Sequence, residues 1–522
     1  MEPVIWRQTL GDVLRRTAAR VPQKTAICCG ERAWTYAEFD RLCDELVAGL
    51  ANLGVRPGDR VAILARNSDA FAAVRFALAR LGSILVPVNF MLNAQEAAYV
   101  LRHSGARLLC VDSELTDLGR AAAALNTEVE QLIWLPSEQA TAAPQGLLRF
   151  DELRLSGPTG SAVAVDGSTP AQIIYTSGTE STPKGALLTH EALLWEYVSC
   201  LVDAEITSDD LMLHALPLYH CAQLDCFLGP GIYVGSTNII TSRPTPDNLL
   251  PLLERHRITS FFAPPTVWIS LLRSPLFDRS DLTSLRKAYY GASIMPIEVL
   301  REMQRRLPQV RLWNLYGQTE ISPVATILKP EDQLRKPGSA GRPALNVETR
   351  IVNESGVEVA VGEVGEIVHR SPQLTRGYYR DEERTRTAFA GGWFHSGDLA
   401  TRDAEGYITI VDRRKDMIKS GGENVSSREV EETIYQLTEV AEVAVIGLPH
   451  PTWIEAVTAF VVLRERHSIT TAQVVSHCAA RLSPFKVPKR VLFVEHLPKN
   501  PSGKVLKRLL RETSGRLTND PN

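Results

Sequence analysis

From Thr35 to Val111 the chain alternates between helix-like and strand-like stretches at short, regular intervals, and this alternation is the tightest constraint on its fold. Thr35-Tyr-Ala-Glu38 has the form of a capping box, in which side chains satisfy the free N–H groups of a first helical turn. Phe39, Leu42, Leu46, Leu50 and Leu53 then recur at helical spacing until Gly54 ends the run. A short apolar strand at 60–64 follows, then a helix near 70–81, a strand at 84–88, a helix near 94–103 and a strand at 108–111. Strands this apolar need cover on both faces, so the pattern predicts a mostly parallel sheet with helices on either side. Residues 136–168, rich in Ala, Gly, Ser, Thr and Pro, read as a surface connection to a second alternating region, which starts at the strand 172–175 and runs to about residue 345.

The pattern then changes twice. Residues 347–370 read as short antiparallel strands with turns at 353–356 and 361–363. Beyond the charged segment Asp412–Lys415 come a second capping box, Ser426-Ser-Arg-Glu429, a helix to about Leu437, strands at 441–447 and 457–463, a helix near 472–482 and a strand at 490–494. The expected fold class is therefore α/β: a large N-terminal domain, residues 1–412, of mostly parallel sheets layered with helices plus a small β-rich part, followed by a small α+β domain, residues 413–522.

Composition narrows the function. With 57 Lys plus Arg against 60 Asp plus Glu, a net charge of −3 leaves no excess of positive charge for a nucleic acid, so none is expected as a partner. The longest run without Asp, Glu, Lys or Arg, Cys226–Ser242, is broken by Gly229, Pro230, Gly231 and Gly235, which argues against a transmembrane segment. Neither terminus carries a recognisable address, and the chain reads as cytoplasmic. The scattered cysteines and histidines lack the spacing of a transition-metal site.

The segment Tyr175-Thr-Ser-Gly-Thr-Glu-Ser-Thr-Pro-Lys-Gly185 follows a strand with hydroxyls, glycines and a lysine. Such a loop can wrap a polyphosphate, because N–H and O–H groups donate to its oxygens while lysine supplies countercharge. It is not a Walker A loop, which needs GxxxxGK[ST]. Further on come Leu315-Tyr-Gly-Gln-Thr-Glu320, Trp393-Phe-His-Ser-Gly-Asp-Leu399, Val411-Asp-Arg-Arg-Lys-Asp-Met-Ile-Lys-Ser-Gly-Gly-Glu-Asn-Val425 and Asn500-Pro-Ser-Gly-Lys504. In this order and spacing the motifs resemble the adenylate-forming superfamily of acyl-CoA and aryl-CoA synthetases, peptide-synthetase adenylation domains and firefly-type luciferases. The resemblance spans essentially the whole chain.

The resemblance implies a two-step ligase using ATP, CoA and Mg²⁺, in which a carboxylate attacks the α-phosphate to give an acyl adenylate and a thiol then displaces AMP. It implies ATP and AMP contacts from Thr176, Ser177, Gly178, Thr179, Lys184, Gly291, Ala292, Tyr316, Gly317, Thr319, Asp398, Arg413 and Lys504. Within that set Lys504 would bridge carboxylate and α-phosphate, Thr319 would donate to the phosphate, and Tyr316 would stack on adenine. Asp398 and Arg413 would hold the ribose, and Glu320 with Thr176 would hold Mg²⁺, a hard cation suited to oxygen ligands. His220 resembles the residue beside the acyl carboxylate. The small domain would be mobile about a hinge at Lys415, and Gly421 and Gly422 would pass the pantetheine arm of CoA; Lys419 and Asn424 match positions near the substrates.

One departure stands out: Glu180 and Ser181 replace the family's usual Thr and Gly, and an acid in a phosphate loop predicts weaker ATP binding. The acyl pocket is expected from residues 219–235, 290–295 and 313–323, which are apolar or small, pointing to a medium- or long-chain fatty acid. The alternatives are an aromatic or small polar, carnitine-like acid, a carrier protein in place of CoA, or an inactive nucleotide-binding homologue. A homodimer is an open option.

Overall fold

A computed structural model describes residues 6–139, 142–156, 165–176, 183–291, 295–413, 416–420, 423–499 and 505–517. Two large sheets form the body of the N-terminal part. The first has seven strands, with Arg60–Leu64 between Leu108–Val111 and Ile84–Pro87, and is parallel except at one edge, where Lys184–Thr189 returns antiparallel to Pro170–Thr176. The second has nine strands, a parallel centre from Arg311–Gly317 through Lys287–Gly291, Ser260–Phe262, Leu211–His214 and Thr237–Ile240 to Thr25–Cys29, closed by antiparallel edges.

The helices Tyr36–Asn52 and Asp69–Leu81 are sandwiched between the two sheets. Thr35 caps the first as expected, its hydroxyl accepting from the Glu38 N–H while the Glu38 carboxylate accepts from the Thr35 N–H. The second is apolar on nearly every face, and burial of Phe71, Phe76 and Leu78 contributes roughly 1.5–3 kcal/mol each. Midway along it Arg75 is 2% exposed and ion-paired with Asp225, which is fully buried. Arg75 also donates to the Tyr197 hydroxyl at 2.7 Å, while Gln172 donates to Asp225 at 2.6 Å. This network ties the helix to the strand that precedes the phosphate loop and to a π-helical turn, Leu224–Leu228. Beside it, Cys200 donates to Glu196 at 3.0 Å, and burial pushes the Glu196 carboxyl well above the usual carboxylate range.

The segment expected to be a surface connection is anchored more deeply than its composition suggests. Leu148–Arg149 adds an edge strand and Phe150–Leu153 a 3₁₀ turn whose Phe150 and Leu153 are buried under Tyr36–Asn52. Gly49 permits that approach, since a Cβ there would lie 1.9 Å from the Leu153 carbonyl oxygen. A four-stranded antiparallel sheet follows, in the order Glu348–Val352, Gly365–Arg370, Phe394–Arg402 and Ile408–Arg413. The last unit packs Ser427–Tyr435 and Thr471–Ala479 on a sheet built around the long pair Val440–His450 and Ile454–Leu463. No described helix is long and apolar enough to cross a membrane.

Candidate active site

The site assembles where Arg311–Gly317 leaves the nine-stranded sheet. Gly317 is required there: a Cβ would fall 1.9 Å from the Pro323 carbonyl oxygen, so only glycine lets the chain double back. Thr319–Ile321 then forms a tight 3₁₀ turn that buries Thr319 and Glu320. Gly291 pairs with Leu315 on the neighbouring strand, where a Cβ would lie 2.4 Å from the Leu315 carbonyl oxygen.

Three polar groups converge on Asp398, which is 4% exposed. The Tyr316 hydroxyl and the Gln318 amide donate to its Oδ2 at 2.7 and 2.9 Å, and Arg413 Nε lies 3.2 Å from Oδ1. The Asp398–Arg413 pair is a register pair across two strands, so the sheet itself sets its geometry. Burial and the adjacent Asp398 carboxylate raise the Tyr316 phenol well above its ordinary pKa, which keeps it a donor. Its ring is half-buried against Ile351, Ile367, Ala400 and Ile408, so Tyr316 ties the nine-stranded sheet to the four-stranded one. Gln318 has a defined job that its place in the motif alone did not disclose.

A second group surrounds Glu320. The Tyr378 hydroxyl donates to Glu320 Oε1 at 2.9 Å, Lys184 Nζ lies 3.2 Å from the same oxygen, and Lys184 also donates to the Tyr378 hydroxyl. Tyr378 comes from a strap that runs beside Lys184–Thr189: Tyr379 N donates to Gly185 O at 2.8 Å, Leu187 N to Gly377 O at 3.0 Å, and Thr375 N to Glu320 O at 2.7 Å. Sequence reasoning passed over Tyr378. The signal was Arg376-Gly377-Tyr378-Tyr379, where Gly377 adopts a φ of +133°.

Thr176 sits in register with Lys184 at the loop end of its hairpin, and its buried hydroxyl has no hydrogen-bond partner among the described residues. Lys184, across the hairpin from this orphaned buried hydroxyl, pairs with the buried Glu320 carboxylate, and such a set suits an oxygen-seeking ligand, so Thr176 and Glu320 fit a hard divalent cation together with phosphate. His220 joins the same centre through Cys221, whose thiol lies 3.3 Å from the Thr319 hydroxyl. Burial raises that thiol to about 12, so Cys221 is a neutral spacer and no nucleophile. The Ala222 N–H donates to His220 Nδ1 at 3.1 Å, so a neutral ring would carry its proton on Nε2.

Of the expected residues, the structure thus gathers Thr176, Lys184, His220, Gly291, Tyr316, Gly317, Thr319, Glu320, Asp398 and Arg413. Ser177, Gly178, Thr179, Glu180, Ser181, Ala292, Lys415, Gly421, Gly422 and Lys504 lie outside the described residues. Lys419 and Asn424 face one another across the hairpin of Ile418–Ser420 and Glu423–Val425, both exposed.

The profile of the AMP-binding enzyme family matches residues 14–379, and that of the AMP-binding enzyme C-terminal domain matches residues 429–504. The chain is 38% identical to a feruloyl-CoA synthase of an Amycolatopsis species over 97% of this chain and 99% of that protein. It is 33% identical to a long-chain-fatty-acid–CoA ligase of Mycobacterium tuberculosis, over 97% and 98%. Among solved structures, an anthranilate CoA ligase in complex with anthranoyl-AMP superposes with a TM-score of 0.90 at 27% identity, covering 98% of this chain and 99% of that one. The two clustered carboxylates, the paired lysine and these matches lead to one conclusion: the chain belongs to the AMP-binding enzyme family and is an acid–thiol ligase that works with ATP, CoA and Mg²⁺.

Proposed function

We propose that this ligase activates a compact, aromatic carboxylate. The observation that carries the reading is a block of stacked rings behind the reaction centre. Phe227, on the π-helical turn that follows His220, stacks on Phe262 with centroids 4.4 Å apart and lies 5.0 Å from Tyr289, which stacks on Trp313 at 5.1 Å. All four are buried, and the Tyr289 hydroxyl and Trp313 indole are further tied to the Ala204 and Asp203 carbonyls. An acyl group whose carboxylate lies beside His220 and Thr319 would extend between that turn and the sheet. Rings already packed there leave room for a flat, short group in preference to a long alkyl chain. The fatty-acid reading drawn from the apolar character of these segments is the alternative.

The chemistry follows from charge. Carboxylate and triphosphate repel, so the site must neutralise both and hold them in line. In this reading Lys184 faces the phosphates, Lys504 bridges the carboxylate and the α-phosphate, Thr319 donates to that phosphate, and His220 Nε2 orients the attacking carboxylate. Asp398 accepts from the ribose hydroxyls, with Arg413 alongside. Glu320 and Thr176 hold Mg²⁺, which supplies charge neutralisation on the phosphate oxygens when bound. Thioester formation then needs the centre opened to a thiol. We assign that step to rotation of residues 413–522 about Lys415, with Gly421 and Gly422 passing the pantetheine arm.

The deciding experiment is CoA-dependent AMP release across benzoate-, cinnamate- and indole-acetate-type acids and straight-chain acids from butyrate to palmitate. We expect kcat/KM at least about tenfold higher for the best aromatic acid than for palmitate. A maximum at long alkyl chains would return the assignment to fatty acids.

A further inference from the structure

We infer that the Tyr378 hydroxyl is a positioning group that sets the energetic coupling between magnesium and nucleotide, by clamping one oxygen of Glu320 and holding Lys184 beside it. The inference rests on the reading of Glu320 as the magnesium-holding carboxylate. Among the described residues the two partners of that carboxylate, Tyr378 at 2.9 Å and Lys184 at 3.2 Å, both meet Oε1, and neither occupies Oε2. A carboxylate pinned through one oxygen keeps a single orientation and offers the other to a metal. A carboxylate held only by a lysine follows that lysine when it turns to the phosphates.

Tyr378 is built for this task. It is 7% exposed, its N–H donates to the Thr385 hydroxyl at 2.9 Å, and its backbone bridges Ala186 on the strand that carries Lys184. Its ring lies 4.2 Å from Lys184 Nζ, a cation–π contact that gives the ammonium a second resting place 3.2 Å from Glu320. When the nucleotide arrives, Lys184 exchanges one anion for another while the hydroxyl keeps Glu320 in place. A tyrosine serving only to fill the core would affect stability and leave that coupling untouched.

The test is calorimetric binding of a non-hydrolysable ATP analogue in saturating Mg²⁺ and in EDTA, for wild type, Tyr378→Phe, Glu320→Gln and the double variant. The ratio of the two dissociation constants measures the coupling. Phenylalanine keeps the ring and the cation–π contact, so metal-free affinity should change less than about twofold while the ratio falls about tenfold. In Glu320→Gln the ratio should fall as well, and adding Tyr378→Phe should lower it no further. A Tyr378→Phe ratio within about twofold of wild type, with Glu320→Gln still reducing it, overturns the role of Tyr378 alone. A wild-type ratio in Glu320→Gln overturns the reading of Glu320 and this inference with it. Thermal unfolding of each variant without ligand checks that the fold is retained.

Discussion

Replacing Asp398 by asparagine keeps the shape of the side chain and removes its charge, so it isolates what the carboxylate contributes to nucleotide binding. In the structure Oδ2 accepts from Tyr316 at 2.7 Å and Gln318 at 2.9 Å, and Oδ1 faces Arg413 at 3.2 Å. The asparagine oxygen can keep the first two donors only by turning its NH₂ towards Arg413, so two donors then oppose each other. The Arg413 side chain is 39% exposed, and solvent screening limits that loss to about 1 kcal/mol. Hydrogen bonds from the ribose to a charged acceptor add about 1.5–3 kcal/mol. The sum predicts a rise in the dissociation constant of ATP of about 50- to 1,000-fold. Equilibrium titration with a non-hydrolysable analogue measures it, with 2′-deoxy and 3′-deoxy nucleotides as controls. If the carboxylate reads the ribose, removing the hydroxyl it binds weakens the wild type strongly and Asp398→Asn little. An Asp398→Asn affinity within threefold of wild type, or equal losses with the deoxy nucleotides in both proteins, would refute the assignment.

Three further outcomes follow from buried groups. Arg75→Met should destabilise by about 3–5 kcal/mol in urea, because it strands Asp225, and Arg75→Met/Asp225→Leu should recover most of that; similar losses in both would contradict the argument. Burial depresses His190, His214 and His369 to about 4 from the ordinary 6.5, so their contribution is complete above pH 6.5 and is lost as pH falls towards 4, up to about 3 kcal/mol each. Unfolding midpoints between pH 7.5 and 4.5 test this, and a His369→Gln variant should show a shallower decline. Gly317→Ala must move Pro323 or the Thr319–Ile321 turn, costing about 1–3 kcal/mol of stability and slowing adenylate formation at least about tenfold in a pyrophosphate-release assay.

Local patterns carried much of the fold. The capping box at Thr35 and the spacing from Phe39 to Leu50 describe the helix Tyr36–Asn52, because both signals lie within a few turns of chain. The hairpin of Thr25–Cys29 and Arg32–Thr35 escaped, since its strands are short and the parallel partner, Thr237–Ile240, is remote in sequence. Phe150 and Leu153 escaped for a related reason: two apolar residues in a small-residue segment show no period, and their burial depends on a distant helix. In the site, Tyr316, Thr319, Glu320, Asp398 and Arg413 were legible as motif members. Tyr378 was not, because its chemistry exists only through Lys184 and Glu320, which the strap brings to it from two other elements.

The strand Ile408–Arg413 ends with two charged residues that serve opposite masters. Arg413 turns to Asp398, while Asp412 accepts from the N–H and hydroxyl of Ser427 at 2.7 and 2.8 Å, at the start of the first helix of the last unit. Neighbouring residues on a strand point to opposite faces, so the division of labour is a matter of parity. One residue inserted just ahead of Asp412 would bring an acid to face Asp398 and leave Ser427 without its acceptor, damaging nucleotide binding and domain attachment in a single event. Two residues would preserve the parity. Length changes in this strand should therefore be tolerated in even steps or not at all, whereas additions after Arg413 leave both faces as they are.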